Sequence, residues 1–546
     1  MSVRKREKIQ KMLRKMIPIN EISDPPRRRL LYAAVSAALL VFSFPGIDLE
    51  FLAWIAFVPL FFALKNRKPA EAFLLSYFTG VLFFLGTIYW LMHVTLAGMI
   101  ALSLYLGLYF GLFGLLFSVA SRVSLVGRKE LIANLFLIPA AWVVSEWLRS
   151  NLMSGFGWVA LGYSQSFTLP VIQIADITGV YGVGFLIVLV NAAIFFAIRD
   201  MKRNVRFETP LLIAAFLIFV SLSYGFFRMN NIFTGEILRV GVVQGNIAQD
   251  KKWDASFREE ILSKYENLTR ELVKERPDLI IWPETSAPGY LENTSDKPIF
   301  DRVRALATAG KIPLLVGTPR EDRIDKNAYY NSAVFYSGDG SITDTYDKVH
   351  LVPFGEYVPL KKIFSFVNNF APSPIGDFTA GKDYTVFNFF LERKADSKDY
   401  SWKMVKKVKF SCLICFEDVF PQVSRMFVKK GAAFLVNITN DAWYKRTSAP
   451  YQHAQCSIFR AVENRVNVIR AANTGLSCFI DQKGRVLAAV GVNGDNLFVD
   501  GVRSEDITIS NTRTFYNVYG DLFSYICIIF VSFYMCVIAI RNKKIG

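Results

Sequence analysis

Three residues that could carry out chemistry follow apolar, strand-like or hairpin segments in the second half of the chain: Glu284, Lys348 and Cys415. Cys415 ends the apolar run Phe410–Ile414, Glu284 comes after the run Leu279–Pro283, and Lys348 follows a predicted hairpin. Ligand sites in open α/β sheets lie outside the carboxyl ends of strands. A thiol in such a place is a candidate nucleophile, because a neighbouring ammonium or base can activate it.

Each of these three residues also has an ordinary structural explanation. A buried, unreactive thiol is the commoner state of a free cysteine. A carboxylate that follows a strand can lie beside a helix N-cap, and a lysine after a hairpin can be a solvated charge. The presence of all three in one chain, each beside an apolar run, favours a shared site.

The cysteines and histidines do not indicate a metal site or a disulfide framework. Six cysteines are few for 546 residues. Cys412 and Cys415 have C-x-x-C spacing, but residues i and i+3 of a strand face opposite sides, and no second pair follows. With only three scattered histidines, we expect no metal and no other cofactor. The sequence leaves open whether Cys412, Cys456 and Cys478 form disulfides.

The chain that must position these residues divides into membrane and water-soluble parts. Hydrophobic residues make up 52% and aromatic residues 15% of it, but the long apolar runs are confined to 30–228 and 522–540. The chain between them, about 236–510, has soluble composition and is large enough to bury its own core. Two tails, a basic one at 1–29 and a short one at 541–546, complete the predicted organisation.

Eight apolar segments approach the ~20 residues that a helix needs to cross a bilayer. Seven precede the soluble domain, and the eighth follows it; the seven are 30–46, 50–64, 72–93, 96–121, 131–148, 171–198 and 210–228. The Gly- and Ser-broken stretch 151–170 is predicted to be interfacial or re-entrant. Lys and Arg concentrate in alternate loops, which marks those loops as cytoplasmic. The soluble domain is therefore predicted on the opposite face, the periplasm of a bacterium.

The net charge of +17 does not indicate nucleic-acid binding. Residues 1–29 hold ten Lys/Arg against three Asp/Glu, and much of the remaining excess lies beside apolar segments. That distribution is typical of topology signals and of contacts with anionic lipid headgroups. A transporter or ligand sensor would need several polar groups within its spans. Apart from Glu146 and Asp176, near predicted ends, the spans carry almost none.

The soluble domain alternates predicted strands and helices, which is typical of an α/β layout with sheets covered by helices. The predicted strands are 238–243, 279–282, 314–317, 333–336, 408–414, 434–438 and 478–480. The predicted helices are near 255–275, 298–309, 421–430 and 451–465. The hydrophilic insert 391–399 is predicted to be an exposed loop, and the apolar residues between 364 and 374 could dip into lipid or pack locally.

The segments around the candidate residues resemble the nitrilase superfamily, whose Glu-Lys-Cys order matches Trp282-Pro-Glu284, Lys348 and Cys415-Phe-Glu417. Further segments narrow the resemblance to the apolipoprotein N-acyltransferase family: Val243–Asn246 with Trp253, Tyr330–Ser332, Lys348–Pro359, Asn440–Trp443 and Gln452-His453. The resemblance covers nearly the whole chain. It implies a membrane domain of about eight helices and an αββα nitrilase-like domain. Phe416 departs from the pattern, because some members have tyrosine directly after the nucleophile.

The resemblance also implies a role for each matching residue. Cys415 would attack an ester carbonyl, Glu284 would take and return protons, and Lys348 would stabilise the oxyanion, with help from the backbone N–H of Phe416. The resemblance implies that three further residues support the site: Glu356, Glu417 and Asn331. It implies that three others contact the substrate: Trp253, Phe416 and Trp443.

The reaction that the resemblance implies is acyl transfer through a cysteine thioester with ping-pong kinetics. The acyl donor would be a membrane phospholipid, and the acceptor the amino group of the S-diacylglyceryl-cysteine of an apolipoprotein. The implied location is the bacterial inner membrane, multi-pass, with the catalytic domain periplasmic, and a monomer is expected. A membrane-anchored amidase that uses water as acceptor is the alternative, because the same three residues serve both reactions.

Overall fold

The structure, a computed structural model, describes residues 25–122, 128–201, 208–325, 328–359, 377–394, 403–509 and 512–545. Most of the predicted basic tail and the apolar loop at 364–374 lie outside the described residues. The described chain contains a helical N-terminal part, two six-stranded sheets with helices, and a long C-terminal helix.

Helices account for most of the first 230 residues. Their bounds are α1 Pro26–Phe42, α2 Ala53–Leu64, α3 Pro69–Thr87, α4 Leu96–Arg122, α5 Arg128–Asn151, α6 Leu169–Ile172, α7 Ala175–Thr178, α8 Val180–Asp200 and α9 Glu208–Asn230. In the described chain, six helices are long and apolar enough to cross a membrane: α3, α4, α5, α8, α9 and the C-terminal helix. These helices identify the chain as a membrane protein, as predicted.

Three of the eight predicted segments differ from regular membrane-length helices. Helix α1 has 17 residues and α2 has 12, both shorter than the ~20 residues of a typical span. The prediction of one segment over 171–198 is wrong in detail, since the structure divides it into α6, α7 and α8. The break lies at Gly179, whose φ of 64° is in the left-handed region that glycine adopts readily.

The segment between α5 and α6 has no long helix and is largely buried. Trp158 and Tyr163 are each 2% exposed, and a short 3-10 helix spans Leu161–Gln165. Arg149, at the end of α5, donates hydrogen bonds to the carbonyl oxygens of Phe156 and Trp158, both at 2.7 Å. Irregular backbone is tolerated near a membrane where protein covers it. These contacts fit the predicted non-spanning conformation.

The soluble domain contains twelve described strands in two sheets. One sheet has the order β12-β1-β2-β3-β4-β5 and the other β11-β10-β9-β8-β7-β6. In each sheet three central strands are parallel, namely β1-β2-β3 and β7-β8-β9. The bounds are β1 Glu236–Gln244, β2 Leu279–Ile281, β3 Leu314–Glu321, β4 Tyr329–Tyr336, β5 Ile342–Asp347, β6 Phe387–Lys394, β7 Lys403–Ile414, β8 Phe434–Thr439, β9 Asn467–Ala472, β10 Cys478–Ile480, β11 Val486–Ala489 and β12 Gly501–Ile509.

Helices cover the outer face of each sheet. They are α10 Gln249–Lys252, α11 Arg258–Val273, α12 Lys297–Gly310, α13 Pro421–Lys429 and α14 Ala449–Asn464, followed after β12 by α15 Phe515–Tyr519 and α16 Leu522–Ile545. The four predicted helices correspond to α11, α12, α13 and α14. The prediction of an exposed loop over 391–399 is wrong for its first four residues, because β6 continues through Lys394 and pairs with β7. The remaining residues of that insert lie outside the described residues.

Side chains on the two faces of a strand pack into different layers of the domain. Leu279 and Ile281 belong to the core between the sheets, whereas Ile280 and Trp282 pack with α11 and α12. This is the period-two alternation of a strand that is buried on both faces. The rings of Phe335 in β4 and Phe410 in β7 meet between the sheets, with centroids 5.3 Å apart. The predicted αββα fold class is therefore confirmed.

A buried ion cluster joins the helical part to the soluble domain. The carboxylate of Asp176 in α7 lies 2.7 Å from a guanidinium nitrogen of Arg465 and 2.8 Å from one of Arg228 in α9. It also accepts a hydrogen bond of 2.7 Å from the hydroxyl of Tyr224. Asp176 is 2% exposed and Arg465 is fully buried. Removal of one partner from a buried pair leaves an uncompensated charge, which costs about 3–5 kcal/mol.

We expect Asp176→Asn to lower the stability of the whole protein by several kcal/mol on this scale. The rate of irreversible thermal inactivation in detergent should rise strongly, and this rate is the measurement. Asp506→Asn is the matched control, because its pair with Arg239 is also 2.7 Å long but about half exposed, where such pairs contribute roughly 0–1 kcal/mol. Equal inactivation rates for the two variants would contradict the assignment.

Candidate active site

Cys415 lies at the turn that follows β7. Its φ of 53° is left-handed, which is uncommon for a residue with a side chain. A one-turn 3-10 helix runs from Cys415 to Val419. The backbone is held there from both sides: Ile414 N–H donates to Glu417 Oε2 at 2.8 Å, and Asn437 Nδ2 donates to the Cys415 carbonyl at 3.1 Å. Strained conformations persist where the surroundings fix them, and they concentrate at functional sites.

A chain of buried polar groups connects Glu284 to Lys348. Asn331 Nδ2, in β4, donates to Glu284 Oε1 at 2.7 Å and to Glu356 Oε1 at 2.9 Å. Lys348 Nζ lies 2.9 Å and 2.8 Å from the two carboxylate oxygens of Glu356. The backbone N–H of Val352 donates to Glu356 Oε2 at 2.8 Å. The sequence predicted Asn331 and Glu356 as supporting residues, and the structure brings both into contact with the predicted pair.

The charges of Glu284 and Lys348 both act on the thiol of Cys415. Burial raises the pKa of the Cys415 thiol, the charge of Glu284 raises it further, and Lys348 opposes these effects. Burial likewise raises the pKa of Glu284, against the charge of Lys348. Burial alone would lower the pKa of Lys348, but Glu356, Cys415 and Glu284 together raise it. The resting site therefore combines a protonated thiol, a carboxyl with raised basicity and a permanent ammonium.

Glu417 stabilises the loops that carry the nucleophile and the lysine. Its Oε1 accepts hydrogen bonds from the Tyr346 hydroxyl at 2.7 Å, from Val349 N–H at 2.9 Å and from His350 N–H at 3.0 Å. With the Ile414 N–H on Oε2, both oxygens are engaged. Burial raises the pKa of Glu417 to about 7, although these donors favour the charged form. Glu417 thus connects the Cys415 turn to the segment that follows Lys348.

A second buried network lies behind Cys415, and its connections were not predicted from the sequence. His453 Nε2 is 2.8 Å from Asp418 Oδ1 and 3.2 Å from the Cys415 carbonyl, while Nδ1 is 3.0 Å from Asp441 Oδ1. Arg470 in β9 donates to Asp418 Oδ2 at 2.8 Å. Burial disfavours the charged imidazole, but the two carboxylates outweigh burial and Arg470, raising the pKa of His453 to about 9. The network fixes the peptide that follows the nucleophile.

Phe416, predicted as a substrate contact, is mostly buried in an aromatic cluster. It is 8% exposed. Its ring stacks on Trp158 with centroids 6.1 Å apart and meets Phe420 edge-on at 5.0 Å. Trp158 Nε1 in turn donates to Gln452 Oε1 at 3.0 Å, as does Trp90 Nε1. A phenyl ring suits this contact, which links the residue after the nucleophile to the helical part of the chain.

The two predicted tryptophans are more accessible than the other site residues. Trp253 is 51% exposed and Trp443 is 41% exposed. Trp253 directly follows α10, and Trp443 lies in the short 3-10 helix Asp441–Tyr444. Exposed tryptophans present a large apolar surface to a partner. Their contact with substrate remains a prediction.

Two residues near the site were missed by sequence reasoning. Lys252, in α10, is 7% exposed, and its Nζ donates to the Glu284 carbonyl oxygen at 2.9 Å. Tyr444 packs edge-on against Trp90, with centroids 4.4 Å apart, and its pKa is raised by burial and then by the charges of Cys415 and Asp441. Lys252 stands in the hydrophilic run Gln249–Lys252, which gave no signal for burial.

All six cysteines lie in the described part of the chain, and all are free. Cys412 is fully buried in the core between the sheets, whereas Cys415 is partly exposed. Because its thiol is enclosed in this core, Cys412 is poorly placed to reach a substrate. Among the described residues, no group of three His, Cys, Asp or Glu side chains could hold a metal ion.

The chain is similar to known proteins over almost its whole length. Residues 36–193 match the apolipoprotein N-acyltransferase N-terminal domain, and residues 239–510 match the carbon-nitrogen hydrolase family. The apolipoprotein N-acyltransferase of Geobacter metallireducens is 38% identical, with 95% of this chain and 97% of that relative covered. The one from Chlorobaculum tepidum is 31% identical, with 93% and 96% covered. A solved amidase from Nesterenkonia sp. is 20% identical over 51% of this chain and 92% of that chain, with a TM-score of 0.35.

Proposed function

Because the chain belongs to the apolipoprotein N-acyltransferase family, we propose that it moves a fatty acyl chain from a membrane phospholipid, through a thioester on Cys415, to the amino group of a diacylglyceryl-cysteine on an apolipoprotein. The chain is an acyltransferase of lipoprotein biosynthesis. The phospholipid donor, the thioester intermediate and the roles of the individual residues are our proposal. The hydrogen-bonded series Glu284–Asn331–Glu356–Lys348 beside Cys415 supports this proposal most strongly.

In the first half-reaction, Cys415 Sγ attacks the ester carbonyl of the phospholipid. The carboxylate of Glu284 takes the thiol proton, and its raised pKa brings its basicity closer to that of the thiol. Lys348 stabilises the oxyanion of the tetrahedral intermediate, as does the backbone N–H of Phe416, since the first N–H groups of a helix lack partners within it. The intermediate collapses as Glu284 returns the proton to the leaving lysophospholipid oxygen.

In the second half-reaction, the amine of the acceptor attacks the thioester carbonyl. Glu284 accepts a proton from the amine, and the Cys415 thiolate leaves and is reprotonated. Glu356, in contact with Lys348, keeps the ammonium in place through both halves. Trp253 and Trp443 contact the lipid substrates, and their exposure supports this role. One chain supplies every residue of the mechanism, so the proposal requires only a monomer.

We place the protein in the bacterial inner membrane with the soluble domain on the periplasmic side. The support is the excess of Lys and Arg in the alternate loops of the sequence. Together with the six long apolar helices, α1 and α2 complete eight membrane segments in this proposal. Protease added from the cytoplasmic side to inverted membrane vesicles should leave the chain uncut between residues 395 and 400, and cleavage there would refute the orientation.

The acceptor distinguishes the proposed acyltransferase from an amidase that uses water. We expect the purified protein, given phospholipid vesicles and a synthetic S-diacylglyceryl lipopeptide, to produce an N-acylated lipopeptide, detected by mass spectrometry. An N-acetylated lipopeptide is the control acceptor, because it lacks the free amine and should gain no chain. Release of free fatty acid with no N-acylation would instead support hydrolysis.

A further inference from the structure

Lys252 is a buried cation that the proposed mechanism does not use. The side chain reaches from α10 to the loop after β2, where Nζ donates to the backbone carbonyl of Glu284 at 2.9 Å. It is 7% exposed. Taking an ammonium out of water is unfavourable unless negative charge compensates it. Among the interactions that the structure describes for Lys252, the negative charge that opposes the effect of burial belongs to the Cys415–Glu284 pair.

The neighbouring lysine shows that this placement is specific. Lys251 is 45% exposed, pairs with Glu260 at 3.6 Å and lies over the ring of Phe257. It therefore has the ordinary position of a solvated lysine on a short helix. Two adjacent lysines thus point to different environments, and only Lys252 among the pair contacts the site.

The charge of Lys252 acts on the Cys415–Glu284 pair. When both groups are protonated the pair is neutral, and when one proton has left it carries one negative charge, on the carboxylate or on the thiolate. The reacting site needs the charged pair, because the proton of the thiol must have somewhere to go. A cation beside the pair favours its charged form. Lys348 supplies one such cation, but it is neutralised by Glu356 at 2.8 Å.

We propose that Lys252 is a positioning residue that holds Glu284 by its backbone carbonyl and supplies the uncompensated positive charge that keeps the Cys415–Glu284 pair ionised near neutral pH. The proposal deepens the proposed function, because it concerns the same nucleophile and base. It does not require that the acyl group come from a phospholipid or go to a lipoprotein, since it concerns the protonation of the free enzyme.

The pKa of Lys252 gives the pH range in which this charge is present. Burial lowers the pKa of Lys252 to about 8, against the attraction of Glu284 and Cys415. Below this value Lys252 is charged and favours the ionised pair, and above it the effect disappears. The contribution of Lys252 should therefore be large at pH 6–7.5 and absent above about pH 9.

The test is the pH profile of Cys415 alkylation by iodoacetamide in the full-length protein, followed by peptide mass spectrometry. We expect Lys252→Met to slow alkylation about tenfold at pH 7, the effect of one pKa unit, and to converge with the unchanged protein above about pH 9. Lys252→Arg should restore most of the rate at pH 7. Lys251→Met is the matched control and should leave the profile unchanged.

The results that would overturn the role of Lys252 differ from the results that would contradict acyl transfer. A purely structural role would slow alkylation by the same factor at every pH, with no recovery in Lys252→Arg, and would overturn the electrostatic part of the proposal. An unchanged profile in Lys252→Met would overturn it entirely. Because the assay contains neither phospholipid nor lipopeptide, failure of the proposed acyl transfer would not produce either result.

Discussion

Cys415→Ala is expected to abolish acyl transfer to the lipopeptide and the formation of any acylated enzyme. No other described group in the site can form the thioester, and covalent catalysis is lost completely when the nucleophile is absent. Residual activity should be at least about 10⁴-fold below that of the unchanged protein, on the scale of other covalent enzymes that lose a nucleophile. The measurement is N-acylated lipopeptide over time by mass spectrometry.

Cys412→Ala is the matched control for this substitution, because Cys412 lies only three residues before Cys415, inside β7. It is fully buried between the sheets, away from the turn that carries Cys415. Loss of its sulfur should cost some stability through the cavity it leaves, but acyl transfer should continue. Full activity in Cys415→Ala, or complete loss in a folded Cys412→Ala, would show that the nucleophile has been misassigned.

Glu284→Gln is expected to have the second largest effect. An amide has nearly the shape of the carboxyl group, and its oxygen can still accept the hydrogen bond from Asn331 Nδ2. It cannot take the thiol proton or the amine proton. General acid–base groups contribute about 10²–10⁴-fold, so we expect both half-reactions to slow within this range while the fold is kept.

The pH dependence adds a second test of Glu284. Because burial raises the pKa of this carboxyl, the rate of acyl-enzyme formation should rise with pH as Glu284 ionises above its ordinary range. In Glu284→Gln the corresponding limb of the pH profile should disappear. Glu292→Gln serves as the control, because Glu292 pairs with the exposed Arg323 outside the described network. A profile unchanged by Glu284→Gln would assign the proton transfer to another group.

The candidate nucleophile, base and cation could be predicted because each follows an apolar run or hairpin that is visible in the sequence. Lys348 and Cys415 come directly after β5 and β7, and Glu284 follows the end of β2 after two residues. Ligand sites in α/β sheets lie outside the carboxyl ends of strands, so these local patterns indicate a shared site. The supporting roles of Asn331 and Glu356 came from the family resemblance, and no periodicity in the sequence indicates them.

Two of the strands that the sequence missed, β9 and β12, depend on partners far along the chain. Strand β9 contains Arg470, which is fully buried because Asp418 lies 2.8 Å from its guanidinium. This charged residue among the six residues of β9 interrupts the apolar pattern that is typical of a buried strand. Strand β12 is rich in polar residues and lies at the edge of its sheet, where one side lacks a neighbouring strand. β5, β6 and β11 were also missed.

Lys252 shows the same limit at the scale of one residue. Its neighbours Asp250 and Lys251 make the segment look like an exposed turn. Its burial follows from its contact with Glu284, which lies 32 residues later in the chain and is brought next to it only by the fold. The effect of a tertiary contact on a charged side chain cannot be read from hydrophobic periodicity, because periodicity describes only the chain's own elements.

The proposed mechanism depends most directly on an acyl-thioester at Cys415. The decisive measurement is the intact mass of the purified protein after mixing with phospholipid vesicles, followed by peptide mapping and then by addition of the diacylated lipopeptide. We expect a mass increase of one fatty acyl chain, located on the peptide that contains Cys415, and this increase should disappear as the lipopeptide gains the same chain. Transfer of the chain to the lipopeptide with no acylated enzyme at any time, or an acyl group on another residue, would contradict the proposed mechanism.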